Sequence, residues 1–482
     1  MKKIFSLFIT VLIFIGCTNE DYEALNGDPN NPTDVDAGQL FVSATKSLFD
    51  LVEETNVNIN NTRLFSQYWT ETTYTDEANY EMINRGIPKN HWNRLYQNVL
   101  FDLQDAKARA AGDNMKVGQA EVLEVYGWSL LVDVFGDVPY SEALGASKAG
   151  GGEYLPAYDD AAAIYDDLLA RLDTAISALG SGGMGFGSSD LIYGNNGASW
   201  VKFAKSLKVK LGMRLSHVSP AKAKAAVESA ASGAFTSNAD NATLTYEGST
   251  PNTNPIWVAL VQSGRNDFVP ANTIVDMLQD SLADPRQDVF FNPATKKAGK
   301  YLGGTYAAAS TWALHSHIGT KMFEPTFRGV LLDFAEVSFN LAEAAALGFS
   351  VPGDAPTHYA NGITANFADW GVADVATYLA KPEVAWATAA GTDMVKIARQ
   401  YWIAMYNRGF EGWYVYRKFD APQMNLAATS LLKVPKRYTY PASEQTLNGS
   451  NWTAAASAIG GDEQQTKIFW DVNDPPKQIG EN

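Results

Sequence analysis

The chain is predicted to be mainly α, built from paired amphipathic helices with long irregular loops and minor β structure on one face. Three observations lead there. Apolar residues recur at spacings of three and four through most of the chain, as in Leu40, Phe41, Ala44, Leu48, Leu51 and Val52. Residues 235–327 break that pattern with Gly, Thr, Asn and aromatics in short β-like pieces. Hydrophobic residues make up 46% and charged residues 19% of the 482, enough apolar content for a packed core, which excludes global disorder.

Taken in order, the N-terminus reads as a sorting signal. Lys2 and Lys3 precede an apolar run from Ile4 to Ile15, about 12 residues long. At 1.5 Å per residue this is too short to cross a hydrocarbon core of ~30 Å. The run ends in Phe14-Ile15-Gly16-Cys17, which resembles a lipobox, with Phe14 where Leu is usual. Cys17 is the single cysteine of the chain. Residues 1–16 are therefore expected to be a lipoprotein signal peptide and Cys17 the lipidation site. That consumes the thiol, so a cysteine nucleophile and a disulfide are both excluded. The acidic pair in Thr18-Asn19-Glu20-Asp21 resembles a surface-export signal of Bacteroidetes lipoproteins. Residues 17–35 form a polar tether, and 36–482 are expected to be one domain carrying a loop-rich insertion at about 235–327.

Helices are expected at 91–112 and 116–135, the second ended by Phe135-Gly136-Asp137-Val138-Pro139. A further pair falls at 157–179 and 198–217, with additional helices at 220–232, 271–281, 328–347 and 394–419. Residues 420–482 read as irregular. Helices of this length joined by short turns, with small residues at the crossings, resemble degenerate tetratricopeptide repeats stacked into a curved scaffold. Gly180-Ser181-Gly182-Gly183-Met184-Gly185 satisfies GxGxxG by letter but follows a helix, so it reads as a flexible loop and not a dinucleotide site.

The net charge of −16 and the absence of a basic stripe disfavour nucleic acid as a partner. HExxH, GxSxG, GxxxxGK[ST] and CxxC are all absent, and five histidines are scattered along the chain. No enzyme is expected, and no cofactor. His315-Ser316-His317 places two imidazoles on one side of a strand, but a zinc site needs at least one further ligand and none is indicated. Asp28, Asp34 and Asp36 could offer oxygen to calcium, yet their spacing is not that of an EF-hand loop. Glu336 and Glu343 share a helical face, and pairing with Arg or capping of loop amides is the expected role, ahead of acid–base chemistry.

Several further segments resemble the SusD/RagB family of nutrient-binding outer-membrane lipoproteins. They are Asp28-Pro29-Asn30-Asn31-Pro32, Trp92-Asn93-Arg94-Leu95-Tyr96, Val134-Phe135-Gly136-Asp137-Val138-Pro139-Tyr140 and Trp200-Val201-Lys202-Phe203-Ala204-Lys205-Ser206-Leu207. Later in the chain come Asp284-Pro285-Arg286, Phe410-Glu411-Gly412-Trp413-Tyr414-Val415-Tyr416-Arg417 and Val434-Pro435-Lys436-Arg437-Tyr438. The resemblance implies four tetratricopeptide-like helix pairs under a variable loop face. It also implies a lipid anchor in the outer membrane, a SusC-like TonB-dependent transporter as partner, and a glycan ligand, with capture of a peptide or another nutrient as the alternative within the same system. A protein–protein adaptor and a surface glycoside hydrolase are the other classes in contention.

Ligand residues of that family follow no fixed motif, so candidates are chosen by chemistry. Sugars present C–H faces to aromatic rings and hydroxyls to Asn, Asp and Arg. Two loop stretches offer the mixture. One runs from Tyr68 to Tyr80 and supplies Trp69, Tyr74 and Tyr80. The other runs from Asn252 through Trp312 and supplies Trp257, Arg265, Asp267, Tyr301, Tyr306 and Trp312.

Overall fold

Asp36 starts the first helix: its carboxylate accepts the Gly38 N–H at 2.7 Å, and α1 (Ala37–Glu53) buries Phe41, Ala44, Leu48, Leu51 and Val52. The computed structural model describes residues 35–145, 152–294, 299–473 and 478–481; Cys17, Asp28 and Asp34 lie outside them. The helix expected at 91–112 begins earlier, as α2 (Ile87–Asn93) with Pro88 in its first turn. It passes through a π-helical stretch, Arg94–Leu100, into α3 (Phe101–Arg109). Asp113 caps α4 (Asn114–Phe135), which is buried around almost its whole circumference. A Cβ on Gly118 would stand 2.7 Å from Leu179, so the small residue sets how closely α4 meets the next helix.

Gly136, at φ +83°, ends α4 and turns the chain into β2 (Val138–Pro139), which pairs antiparallel with β3 (Tyr158–Asp159). The helix expected from 157 thus starts after a strand, at α5 (Ala161–Gly180), capped by Asp160. α6 (Gly197–Arg214) and α7 (Pro220–Ala230) follow where expected. β4 (Ala242–Leu244) pairs with β8 (Gly329–Leu332), so the first residues of the helix expected at 328–347 are strand; α8 (Phe334–Ala346) begins only at the Asp333 cap. α9 (Ala355–Trp370) was not expected, although Asp354 and Pro356 mark its start. The helix expected at 394–419 is two, α10 (Asp393–Ala404) and α11 (Gly409–Phe419). The break lets Gly409 meet the short helix Thr62–Phe65, where a Cβ would come within 2.5 Å of the Arg63 nitrogen. Two helices, Ala442–Leu447 and Gly449–Ala458, also occur in the tail expected to be irregular.

Consecutive helices pack in pairs: α3 with α4, α5 with α6, α8 with α9, and α10 with α11. Where they meet, charges are buried and matched. Lys210 of α6 pairs with Glu336 of α8 at 3.1 Å and with Glu411 of α11. Arg214 reaches Asp133 and Glu411, both at 3.0 Å, and Arg408 holds Glu336. Burial alone would raise the Glu411 carboxyl, but Lys210, Arg214 and Arg408 hold it well below the usual carboxylate range. Glu343 pairs with Lys418 at 2.6 Å. The two glutamates seven apart are therefore scaffold. Arg286 plays a similar part, paired with Asp284 at 2.6 Å and donating to Asn366 of α9 and Gln400 of α10.

The 235–327 stretch is loop-rich, with short strands and one-turn helices. β1 (Trp69–Glu71) pairs antiparallel with β5 (Phe268–Pro270), and β6 (Phe291–Asn292) with β7 (His317–Ile318). β5 and β7 run close to one another, so the two ribbons lie side by side.

Candidate functional site

The antiparallel register of β1 and β5 sets Glu71 opposite Phe268, so the loop leaving β1 and the loop entering β5 emerge at one end of the ribbon. Thr72 ties them: its N–H donates to Asp267 O at 2.9 Å and its hydroxyl to Asn266 O at 2.7 Å. A third loop arrives through Ser310, whose N–H donates to Glu71 O at 3.2 Å, two residues before Trp312. The segments that carry Tyr74, Arg265 with Asp267, and Trp312 are thereby tied together at one end of the ribbon. Tyr74 is 77% exposed, on a backbone with φ +54°, a conformation a bulky residue holds only when its surroundings impose it. Arg265 and Asp267 form a surface pair at 2.6 Å. Trp312 is half-buried and stacks on His317, with ring centroids 3.7 Å apart and planes 14° from parallel.

The two histidines shape this loop. His315 Nδ1 lies 2.9 Å from Thr311 O and His317 Nε2 lies 3.1 Å from Trp312 O. A carbonyl only accepts, so each of those nitrogens is a donor and unavailable to a metal. Among the described residues no group of three or more His, Cys, Asp or Glu could hold a metal ion.

Three of the sequence candidates are interior. Trp69 is 1% exposed, donates its indole N–H to Tyr406 Oη at 3.2 Å and has the Arg63 guanidinium 5.1 Å from its ring. Tyr306 is equally buried and donates to Leu64 O at 2.8 Å; Tyr80 packs edge-on against Phe65 at 5.5 Å. None can offer a ring face to a ligand, which corrects the expectation for these positions. They are the rigid floor from which the loops rise. Tyr301 is half-buried beside the Trp312 loop, its hydroxyl donating to Asp288 at 2.7 Å. Trp257 is half-buried on the one-turn helix Pro255–Trp257, with Asn254 capping it and donating to Phe327 O at 2.8 Å. Its helix is thereby tied to the Phe327 segment, apart from the bonds that join the loops at the end of β1 and β5.

Glu71 was not singled out from the sequence. Its carboxylate accepts the Ala78 N–H at 3.0 Å, so the residue that receives the Trp312 loop through its backbone also closes the Tyr74 loop through its side chain. Burial raises its acid to about 8, with Asp76 and Asp267 adding to the rise and Arg85 opposing it. The sequence signal was present, an acidic residue flanked by β-formers in Trp69-Thr70-Glu71-Thr72, but it reads equally as an exposed alternation.

A frame of stacked helix pairs with aromatic and hydrogen-bonding side chains gathered on an open loop face defines a binding scaffold. A family model described as starch-binding associating with outer membrane matches residues 29–441. The chain belongs to this SusD-like family, whose members are non-catalytic, carbohydrate-binding proteins of the outer-membrane surface. No curated protein matches the chain. Among solved structures it is similar to a chitin-binding protein, at 25% identity and TM-score 0.78 over 91% of this chain and 100% of that one. A chitin-binding SusD homolog from Flavobacterium johnsoniae is 27% identical, with TM-score 0.77 over 91% and 98%. A SusD-like protein from Bacteroides thetaiotaomicron shares the fold at 23% identity and TM-score 0.76, over 91% and 99%. No helix among the described residues is long and apolar enough to cross a membrane.

Proposed function

We propose that the protein binds an oligosaccharide at the cell surface through the loop cluster at the end of β1 and β5, and delivers it to a SusC-like TonB-dependent transporter. Attachment to the outer membrane is through lipid on Cys17, and the chain catalyses no step on its ligand. The observation that carries the reading is the convergence of Tyr74, Trp312 and the Arg265–Asp267 pair, held by hydrogen bonds to Thr72 and Glu71. The exposed Tyr74 ring and the face of Trp312 turned away from His317 offer surfaces to the C–H groups of a sugar, and the charged pair supplies donors and acceptors for its hydroxyls. An open surface suits a chain ligand that continues beyond the contacts. Trp257 and Tyr301 extend the surface on its flanks. The named ligands of the chitin-binding neighbours make β-1,4-linked N-acetylglucosamine oligomers the first candidates.

The test is a glycan and peptide binding screen of the chain lacking residues 1–17. Saturable association with an oligosaccharide, without release of shorter products, is the expected result. Binding of peptides alone would replace the ligand class, and bond cleavage would overturn the non-catalytic reading.

A further inference from the structure

A second concavity lies away from the loop cluster. It is a cleft of about 410 Å³ between the C-terminal end of α9 and the start of β8, and none of Tyr74, Arg265, Asp267 or Trp312 lines it. Its wall is Phe327 and Trp370, with ring centroids 6.1 Å apart. Trp370 is the last residue of α9; Gly371, at φ +72°, ends the helix there, and Phe290 packs edge-on against the indole at 4.7 Å. The wall is therefore fixed before any ligand arrives.

Polar groups surround it in matched number. Lys321, Arg328 and Arg408 face Glu324, Asp333 and Asp369, so the lining has no net charge. Arg328 pairs with the Asp369 carboxylate, and Asp333 lies 3.4 Å from Arg408 at the floor. Lys321 donates to the Asp369 carbonyl at 2.9 Å and stands 5.5 Å above Trp370. That bond commits one of three ammonium hydrogens and leaves the others for an acceptor. Burial, with Arg328 adding to it, lowers the Lys321 ammonium from its ordinary range, though Asp369 opposes this.

A neutral lining excludes strongly charged ligands, because an added charge would find no surplus of the opposite sign. Aromatic wall, fixed donors and fixed carboxylates together suit a small polyhydroxylated ring. The volume lies near the lower end of the ~300–1,000 Å³ typical of small-molecule sites, with room for about one or two sugar rings and not for a chain. We propose that this cleft is a separate saccharide site, taking a neutral mono- or disaccharide against Phe327 with hydroxyls bonded to Lys321 and Asp369. The choice of saccharide rests on the glycan-binding reading above; the site itself rests on the cleft.

The experiment titrates the lipidated mature protein, held in detergent, with N-acetylglucosamine, glucose and their β-1,4-linked disaccharides to millimolar concentration, and separately with a hexasaccharide, by calorimetry. Lys321→Met and Phe327→Ala alter the cleft, while Tyr74→Ala with Trp312→Ala alters the loop face. Should Phe327→Ala not fold, Thr326→Trp, at an exposed lining position, fills the mouth instead. The expected result is mono- or disaccharide binding that survives the loop-face changes and weakens about tenfold or more in the cleft variants. Hexasaccharide binding should show the reverse dependence. If the hexasaccharide binds and no mono- or disaccharide does, the cleft proposal is overturned and the glycan reading stands. Small-sugar binding that is lost with Tyr74 and Trp312 but indifferent to Phe327, Lys321 and Thr326 also overturns it. Failure of every saccharide to bind removes both.

Discussion

Replacing Glu71 by Gln isolates the buried acid beneath the loop cluster. In the folded protein burial raises this carboxyl to about 8, against an ordinary value of 4.5. A raised acid favours the folded state while both states are protonated. Its contribution is complete below 4.5 and is lost as pH rises to about 8, because the unfolded chain ionises first. At pH 7 the chain has passed through about 2.5 of those units, each ~1.4 kcal/mol, so the wild type has given up roughly 3 kcal/mol relative to a side chain that never ionises. Glu71→Gln is such a side chain and still offers an oxygen to the Ala78 N–H. Whatever fixed cost the amide brings is the same at every pH and cancels in the comparison. Urea unfolding of both proteins, followed by tryptophan fluorescence at pH 4, 7 and 9, gives the difference directly. The stability of Glu71→Gln relative to wild type is expected to rise by roughly 3 kcal/mol from pH 4 to 7, and further by pH 9. A difference that stays constant over the three pH values would mean that the Glu71 carboxyl is not raised in the folded protein. Because Glu71 also receives the Ser310 N–H through its backbone, wild-type ligand affinity is expected to fall above pH 8 while that of Glu71→Gln does not.

Other outcomes follow from burial and contact. Trp69→Ala should cost ~3–5 kcal/mol of stability, measured by denaturant titration, with ligand affinity of the folded fraction little changed. Arg408→Met leaves Glu336 and Asp333 buried beside one cation fewer and should destabilise by ~3–5 kcal/mol in the same assay. Gly412→Ala places a Cβ 2.3 Å from the Tyr68 hydroxyl, so a loss of ~1–3 kcal/mol in thermal or chemical unfolding is expected.

Most of the helical frame was legible in the sequence because the frame is periodic. The apolar spacing from Leu40 to Val52 lies within α1, and the stripes at 116–135 and 198–217 recur as α4 and α6 with bounds close to those expected. Errors fall where tertiary contact overrides local pattern. Leu331 and Leu332 continue the apolar run of α8 by letter, but pairing with β4 draws them into a strand and moves the helix start to Asp333. α9 was missed because Gly362 and several polar residues dilute its stripe; Gly362 is there because Phe339 would stand 2.8 Å from a Cβ. The candidate site was half legible. Composition singles out loops rich in aromatics, yet it does not distinguish Tyr74, raised on the loop, from Trp69 and Tyr306, sealed under it. That distinction comes from a strand register and from hydrogen bonds between segments nearly 200 residues apart in sequence, such as Thr72 to Asn266. The Trp370 cleft had no local signature at all, since its lining comes from four distant stretches of chain.

Whether the loop face binds a sugar chain is decided by calorimetry of a β-1,4-linked N-acetylglucosamine hexamer with wild type and with the Tyr74→Ala, Trp312→Ala double variant. Saturable binding by wild type is expected, with a loss of ~1–3 kcal/mol per ring removed and both proteins unfolding at the same urea concentration. Equal affinity of the two proteins for the hexamer would contradict it.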